Sequence, residues 1–306
     1  QPVDPISEWL SPPFEPTIRE GQVYCRGAQD NKGHCYATIA AVRSLLQLEP
    51  ELPVNIKLII EGEEEAGSDT LVHLVGSNID LHSGIIGGVV YNPNRAMAEM
   101  LADLYNPDGS IAVPGFYEGV DGLSETEAKC LSMEFDLDRF RRVFNAEPTG
   151  GETAYSPLLR AWIRPTLEIN GVGGGYIGSG FKTVIPASTI AKISSRLVPD
   201  QNPETVGLAI KNFLLSRTPE GIRAEIEVHP GSGEPLRTSA NSMIARVASR
   251  AISEACGGIQ CGAILSGGSI PIISRLAKAS AAETVFMGYG LDTDQIHAPN
   301  EHFGLD

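Results

Sequence analysis

Residues 36–48 (YATIAAVRSLLQL) place apolar groups at helical spacing, and residues 52–60 (LPVNIKLII) follow as a near-continuous β-rich run. The first pattern predicts a helix with one apolar face, and the second a strand covered on both faces. A helix leading into a buried strand implies an α/β fold. From about residue 76 the pattern changes. It predicts a helix over 92–104, a Pro/Gly-rich excursion, strands near 164–171 and 189–197, a helix over 203–216 and a strand over 222–229. The turn His229-Pro230-Gly231-Ser232-Gly233 closes that block.

A split β-α-β…β-α-β order of this kind suits a small ferredoxin-like α+β domain, with helices on one face of an antiparallel sheet. A helix over 239–256 and the run 284–290 (TVFMGYG) then resume the α/β pattern. The expected organisation is a discontinuous α/β domain of residues 1–75 and 233–306, interrupted by an inserted domain of residues 76–232. The length of 306 residues agrees, because single cores stop growing near this size and chains divide.

Charge narrows the partners. The formal net charge is −15, which argues against nucleic acid, whose phosphates are held by clustered Lys and Arg. The expected partner is small or cationic. No apolar run reaches the roughly 18 residues that span a bilayer, so no membrane association is expected. Five cysteines, Cys25, Cys35, Cys130, Cys256 and Cys261, lack paired CxxC spacing. That pattern suggests neither a disulfide framework nor a thiolate zinc site, and it fits a reducing cytoplasm. The first residues, Gln1-Pro2-Val3-Asp4-Pro5, have neither the positive start nor the apolar stretch of a signal peptide and read like the middle of a domain.

Four places hold acid-base or metal-type residues: Asp30 in RGAQDNKG, the cluster EGEEEAGS with Glu64 and Glu65, His82 in DLHSG, and His297 in HAPNE. Carboxylate oxygens with imidazole are the donors of a hydrolytic zinc. Alone, Asp30 reads as a turn residue beside Gly33, His297 as a surface histidine, and His82 equally well as a turn cap. The acidic cluster is different. It comes directly after the expected buried strand, where open α/β sheets bind ligands. Adjacent carboxylates there repel one another unless a cation neutralises them. Other motifs dissolve on inspection. GGGYIG at 173–178 satisfies GxGxxG but is followed by KTVIP, which starts no helix, and SGGS at 266–269 lacks a nucleophile-elbow context. His34, His73, His229 and His302 have no companion pattern and are read as structural.

Together these segments resemble the M20 metallopeptidases, in particular the carnosine dipeptidase-like, cytosolic non-specific dipeptidase branch. The resemblance is carried in family order by residues 1–34, by EGEEEAGS, by DLHSGIIGG, by GGETAYSPLLRAWIRPTLEINGVGGGYIGSGFKTVIP and by IHAPNEHFGLD. It implies hydrolysis of the amide bond of dipeptides or small peptides by a catalytic domain with an inserted lid and dimerisation domain. It implies two zinc ions per subunit, with manganese as an alternative, bridged by Asp30, with Glu65 and His297 as further ligands and Glu64 as general base. Thr183, Arg196 and Ser269 match positions that hold the substrate's carboxylate end. His82 matches a histidine that reaches the partner's site in a homodimer, and the Asp30–Asn31 peptide is expected to be cis.

The sequence also departs from that pattern. The family's His-x-Asp motif falls before Gln1 in this register. Only seven residues separate Ser68 from Gly76, where the family has several tens, so a junction is expected between about Asp69 and Gly76. Leu265 and Ser266 stand where the family has an arginine ahead of Gly-Gly-Ser. Two other readings follow from these gaps: an M20 deacylase or desuccinylase acting on N-acyl amino acids, and a non-catalytic relative.

Overall fold

A computed structural model describes residues 2–49, 51–60, 69–123, 134–229, 234–266 and 270–305. The chain forms two compact units. One comprises Gln1–Glu65, Asp138–Ala146 and Phe286–Asp306; the other comprises Ala66–Leu137 and Glu147–Val285.

The second unit is built on a four-stranded antiparallel sheet in which Thr166–Gly174, Ser188–Arg196, Asp69–Val75 and Arg223–Val228 lie side by side in that order. Helix Pro93–Ala102 follows the first of these strands in the chain, and helix Pro203–Ser216 precedes the last. Along the chain this is β-α-β-β-α-β, the ferredoxin-like order. Period-two alternation in the strands gives the sheet one apolar face. Val72, Leu74, Leu167, Ala191, Ile193 and Ile226 point into a core shared with Met97, Met100, Val206, Ile210, Phe213 and Leu214 of the two helices. The alternate positions are less buried, among them His73, which lies opposite Glu225 on the neighbouring strand. Asn92 and Asn202 cap the helices by accepting from the Asn94 and Thr205 amides, each ahead of a first-turn proline.

Phe116 is fully buried in this core and packs edge-on against Tyr117 at 5.3 Å. Phe116→Ala is expected to lower the unfolding free energy by about 3–5 kcal/mol, read as a fall in the denaturant midpoint, because the side chain leaves a cavity that its neighbours fill only in part.

Strand Asp69–Val75 corrects the sequence reading, which ended the first domain at residue 75 and put a junction between Asp69 and Gly76. All seven residues pair in unbroken register with Ser188–Arg196, and Thr70–Val75 also pair with Arg223–Val228. This segment is therefore an interior strand of the sheet. Burial alternates along it, with Thr70, Val72 and Leu74 buried and Leu71, His73 and Val75 half-buried, although the residue types do not alternate apolar with polar. Helices Met243–Ala255 and Pro271–Ser280 also fall in the second unit. No helix among the described residues is long and apolar enough to cross a membrane.

In the first unit a three-stranded antiparallel sheet joins Thr17–Arg19, Gln22–Tyr24 and His302–Gly304, bringing sequence-distant segments together. Its hairpin turns on Glu20 and Gly21, both with positive φ (51° and 75°), the two-residue turn whose twist matches the strands. Helix His34–Leu48 forms where the periodicity places it, although none of its residues is buried. The buried strand expected over 52–60 does not form. Residues 55–60 are irregular, and Val54, Ile59 and Ile60 are 65%, 68% and 72% exposed. A strand needs a neighbour to complete its ladder of backbone hydrogen bonds, and no described strand pairs with this run.

Candidate functional site

Asp30 and His297 lie 267 residues apart in sequence, and the first unit brings them together: His297 Nε2 stands 3.0 Å from Asp30 Oδ2. Both side chains keep access to solvent, at 29% for Asp30 and 42% for His297.

Asp30 sits in Ala28–Gly33, a wide turn in which Asp30 and Asn31 leave helical geometry. The Asp30–Asn31 peptide is cis, as the resemblance implies. Gly33 is required here. A Cβ at that position would lie 2.6 Å from the Phe303 ring and 2.7 Å from the Ala28 carbonyl, so a side chain would push the turn off the sheet. His34 braces the turn on the other side. Its Nε2 accepts from the Tyr289 amide at 3.0 Å, which makes it the neutral tautomer that donates from Nδ1 to the Gln29 carbonyl at 2.9 Å.

The His297 loop is held in an unusual backbone. Gln295, His297 and Asn300 all have positive φ (55°, 61° and 63°). Left-handed non-glycine residues cost energy and persist where the surroundings over-determine them, most often at functional sites. The surroundings here are specific. Asn300 accepts from the Leu10 amide and donates to the Glu8 carbonyl, both at 2.8 Å. The buried Asp294 accepts from the Leu291 amide, and His302 stacks on Tyr24 at 4.8 Å. His34 and His302 thus serve the scaffold, as the sequence reading has them.

Beneath the two candidate ligands lies a buried ion pair that the sequence reading did not single out. Arg26 Nη1 donates to Glu301 Oε2 at 2.6 Å, with the side chains 7% and 1% exposed. Glu301 Oε1 accepts from both the Gln29 and Asp30 amides at 3.0 Å. A charged residue a few positions from each candidate ligand was the only signal available, and charged side chains default to solvent. Cys25 lies alongside. Burial, and secondly the Glu301 carboxylate, push its thiol above the usual range, so a thiolate ligand is not favoured there.

Glu64, Glu65 and Ser269 lie outside the described residues. The second unit places the remaining candidates. His82 ends strand Leu81–His82, which pairs with Val184–Ile185, and its Nδ1 accepts from the Gly84 amide at 3.0 Å. The Thr183 carbonyl accepts from the Ser83 amide at 3.0 Å, so His82 and Thr183 share one two-stranded ribbon. Arg196 is the last residue of its strand, opposite Thr166, and is exposed.

Comparison with known proteins decides the family. The profile of Peptidase family M20/M25/M40 matches residues 1–306. The chain belongs to the M20 peptidase family. Among its curated relatives is the human Beta-Ala-His dipeptidase, 31% identical over 349 aligned positions that cover 98% of this chain and 68% of the relative. The Schizosaccharomyces pombe Cys-Gly metallodipeptidase is 27% identical, covering all of this chain and 74% of the relative. Among solved structures, human carnosine dipeptidase 1 matches with a TM-score of 0.84 at 29% identity, covering 100% of this chain and 74% of that one. The dipeptidase Dug1p from Saccharomyces cerevisiae matches with the same TM-score at 25% identity and the same coverage.

Membership of M20 makes the chain a hydrolase and implies a divalent metal. The alignment with the human relative spans more positions than this chain has residues, so that M20 enzyme carries internal residues this chain lacks.

The residues present fit such a metal in kind, an aspartate oxygen and an imidazole nitrogen meeting at one accessible point. Among the described residues no three His, Cys, Asp or Glu side chains gather closely enough to hold an ion. Among the described residues, Asp30 and His297 supply two of the donors that such an ion would take.

Proposed function

We propose that the chain hydrolyses the amide bond of dipeptides or small peptides, with two zinc ions held by Asp30, Glu65 and His297 and with Glu64 as general base. The observation that carries this reading is the 3.0 Å approach of Asp30 and His297 across 267 residues of sequence. The relatives' names, Beta-Ala-His dipeptidase and Cys-Gly metallodipeptidase, support the substrate class. When bound, the metals supply Lewis acidity that polarises the scissile carbonyl and lowers the pKa of water at the site. Glu64 takes the attacking water's proton and passes it to the leaving amine. Arg196 grips the substrate's terminal carboxylate with its planar fork, helped by the Thr183 and Ser269 hydroxyls, which selects a free chain end. His82 donates to the oxygen that becomes negative as the carbonyl is attacked, and does so from the partner subunit of a homodimer built through the inserted domain. The odd number of cysteines, without CxxC spacing, supports a cytoplasmic setting.

Chelation should abolish turnover of dipeptides such as β-Ala-His or Cys-Gly, and added zinc should restore it; manganese in parallel tests the alternative metal. Turnover of N-acyl amino acids with dipeptides untouched would replace this reading with the deacylase one. Turnover of neither by the metal-loaded protein would favour a non-catalytic relative.

A further inference from the structure

We propose that the buried Arg26–Glu301 pair is the positioning device of this site, one carboxylate holding the Asp30 turn and one guanidinium tying it to the His297 loop. The proposal rests on the reading of Asp30 and His297 as metal ligands. Glu301 is not itself a ligand: it is 1% exposed, and each of its oxygens is engaged by N–H donors. Oε1 receives the amides of Gln29 and Asp30, which fixes the backbone immediately before the Asp30 side chain. Oε2 receives Arg26 Nη1, which also donates to the carbonyl of Ala298, the neighbour of His297, at 3.3 Å. Arg26 is held in turn: Nη2 donates to the Pro2 carbonyl at 3.0 Å, and the guanidinium lies over the Trp9 ring at 5.2 Å. One ion pair thus reaches the backbone beside both candidate ligands, with no contact to the ligating atoms.

Stability alone is a weak reason for this pair. Desolvating two charges offsets most of their attraction, and well-packed apolar residues of similar volume often serve a fold equally well. What apolar residues cannot supply is a fixed acceptor for two amides and a fixed donor to a carbonyl. Groups behind metal ligands act in this way, holding the ligands in the geometry the metal requires.

The test is the double variant Arg26→Met with Glu301→Leu, which keeps volume and removes both charges, beside the single variant Glu301→Gln. Zinc affinity is measured by chelator competition at a temperature where circular dichroism shows each protein folded. The double variant is expected to stay folded and lose about 10–100-fold in zinc affinity, and Glu301→Gln to lose about tenfold. In the metal-free protein, exchange of the Gln29 and Asp30 amides should accelerate in the double variant, a change that needs neither metal nor turnover. Zinc binding within about twofold of wild type in either folded variant overturns the proposal while leaving the metal reading intact. Failure of the wild-type chain to bind zinc overturns the metal reading, and this proposal with it.

Discussion

Glu64→Gln is expected to lower kcat/KM for a dipeptide by about 10²–10⁴-fold, the range by which a positioned general base contributes. Zinc content should stay at the wild-type level. The two readouts separate two roles that adjacent residues could exchange. Glutamine keeps the size and one oxygen of glutamate, so a residue that only positions water by hydrogen bonding would tolerate it. A residue that must accept the water's proton cannot, because an amide is not basic near neutral pH. A metal ligand would fail differently, by losing charge and with it zinc. Glu65→Gln is therefore expected to lower zinc content as well as rate. If Glu64→Gln loses zinc and Glu65→Gln retains it while losing turnover, the base and the ligand have been interchanged. If kcat falls while KM is unchanged, the lost interaction belongs to the transition state and not to substrate binding.

Apart from the strand at 69–75, the helices and strands of the second unit's sheet are legible because their patterns are local. Helix Pro203–Ser216 and strand Arg223–Val228 carry their own caps, periods and turn residues, and they lie within a residue or two of where the pattern puts them. The strand at 69–75 is not legible in the pattern, because its residue types, DTLVHLV, do not alternate apolar with polar, and the short spacing from Ser68 to Gly76 points to a junction in the same place. The run at 52–60 was misread for the opposite reason. Its composition is that of a buried strand, but composition says nothing about whether a neighbouring strand is there to complete its hydrogen bonds. In the site, motif order was enough to single out Asp30 and His297, whose meeting the structure shows. The Arg26–Glu301 pair was illegible, because an ion pair between positions 275 apart leaves no mark in local pattern, and arginine and glutamate are read as solvent-facing by default. Sequence reveals chemistry where residue type is unusual for its place, and it conceals scaffolding where residue type is ordinary but its partner is distant.

His82→Ala is expected to lower kcat by about 10²–10³-fold, the effect of removing one donor to a developing oxyanion. His82 belongs to a different compact unit from Asp30 and His297, on an exposed two-residue strand whose Nδ1 is taken by the Gly84 amide, so Nε2 is the nitrogen left to act. With Nδ1 accepting, the neutral ring carries its proton on Nε2 and presents a donor there without needing to be charged. The proposal that this donor acts on the partner's site has a consequence that no single variant reveals. A symmetric dimer pairs each chain's Glu64 with the other chain's His82. Mixing His82→Ala with Glu64→Gln, each nearly inactive alone, then gives heterodimers in which one site combines wild-type Glu64 with a wild-type His82 from its neighbour. The second site lacks both. Random exchange makes half the dimers mixed, so activity should recover to about one quarter of wild type. A histidine acting within its own chain predicts no recovery at all, because each chain of the heterodimer still carries one of the two lesions. Exchange must be shown independently, by mass labelling of one variant. A mixture that exchanges fully and stays inactive excludes the shared site and confines His82 to its own subunit.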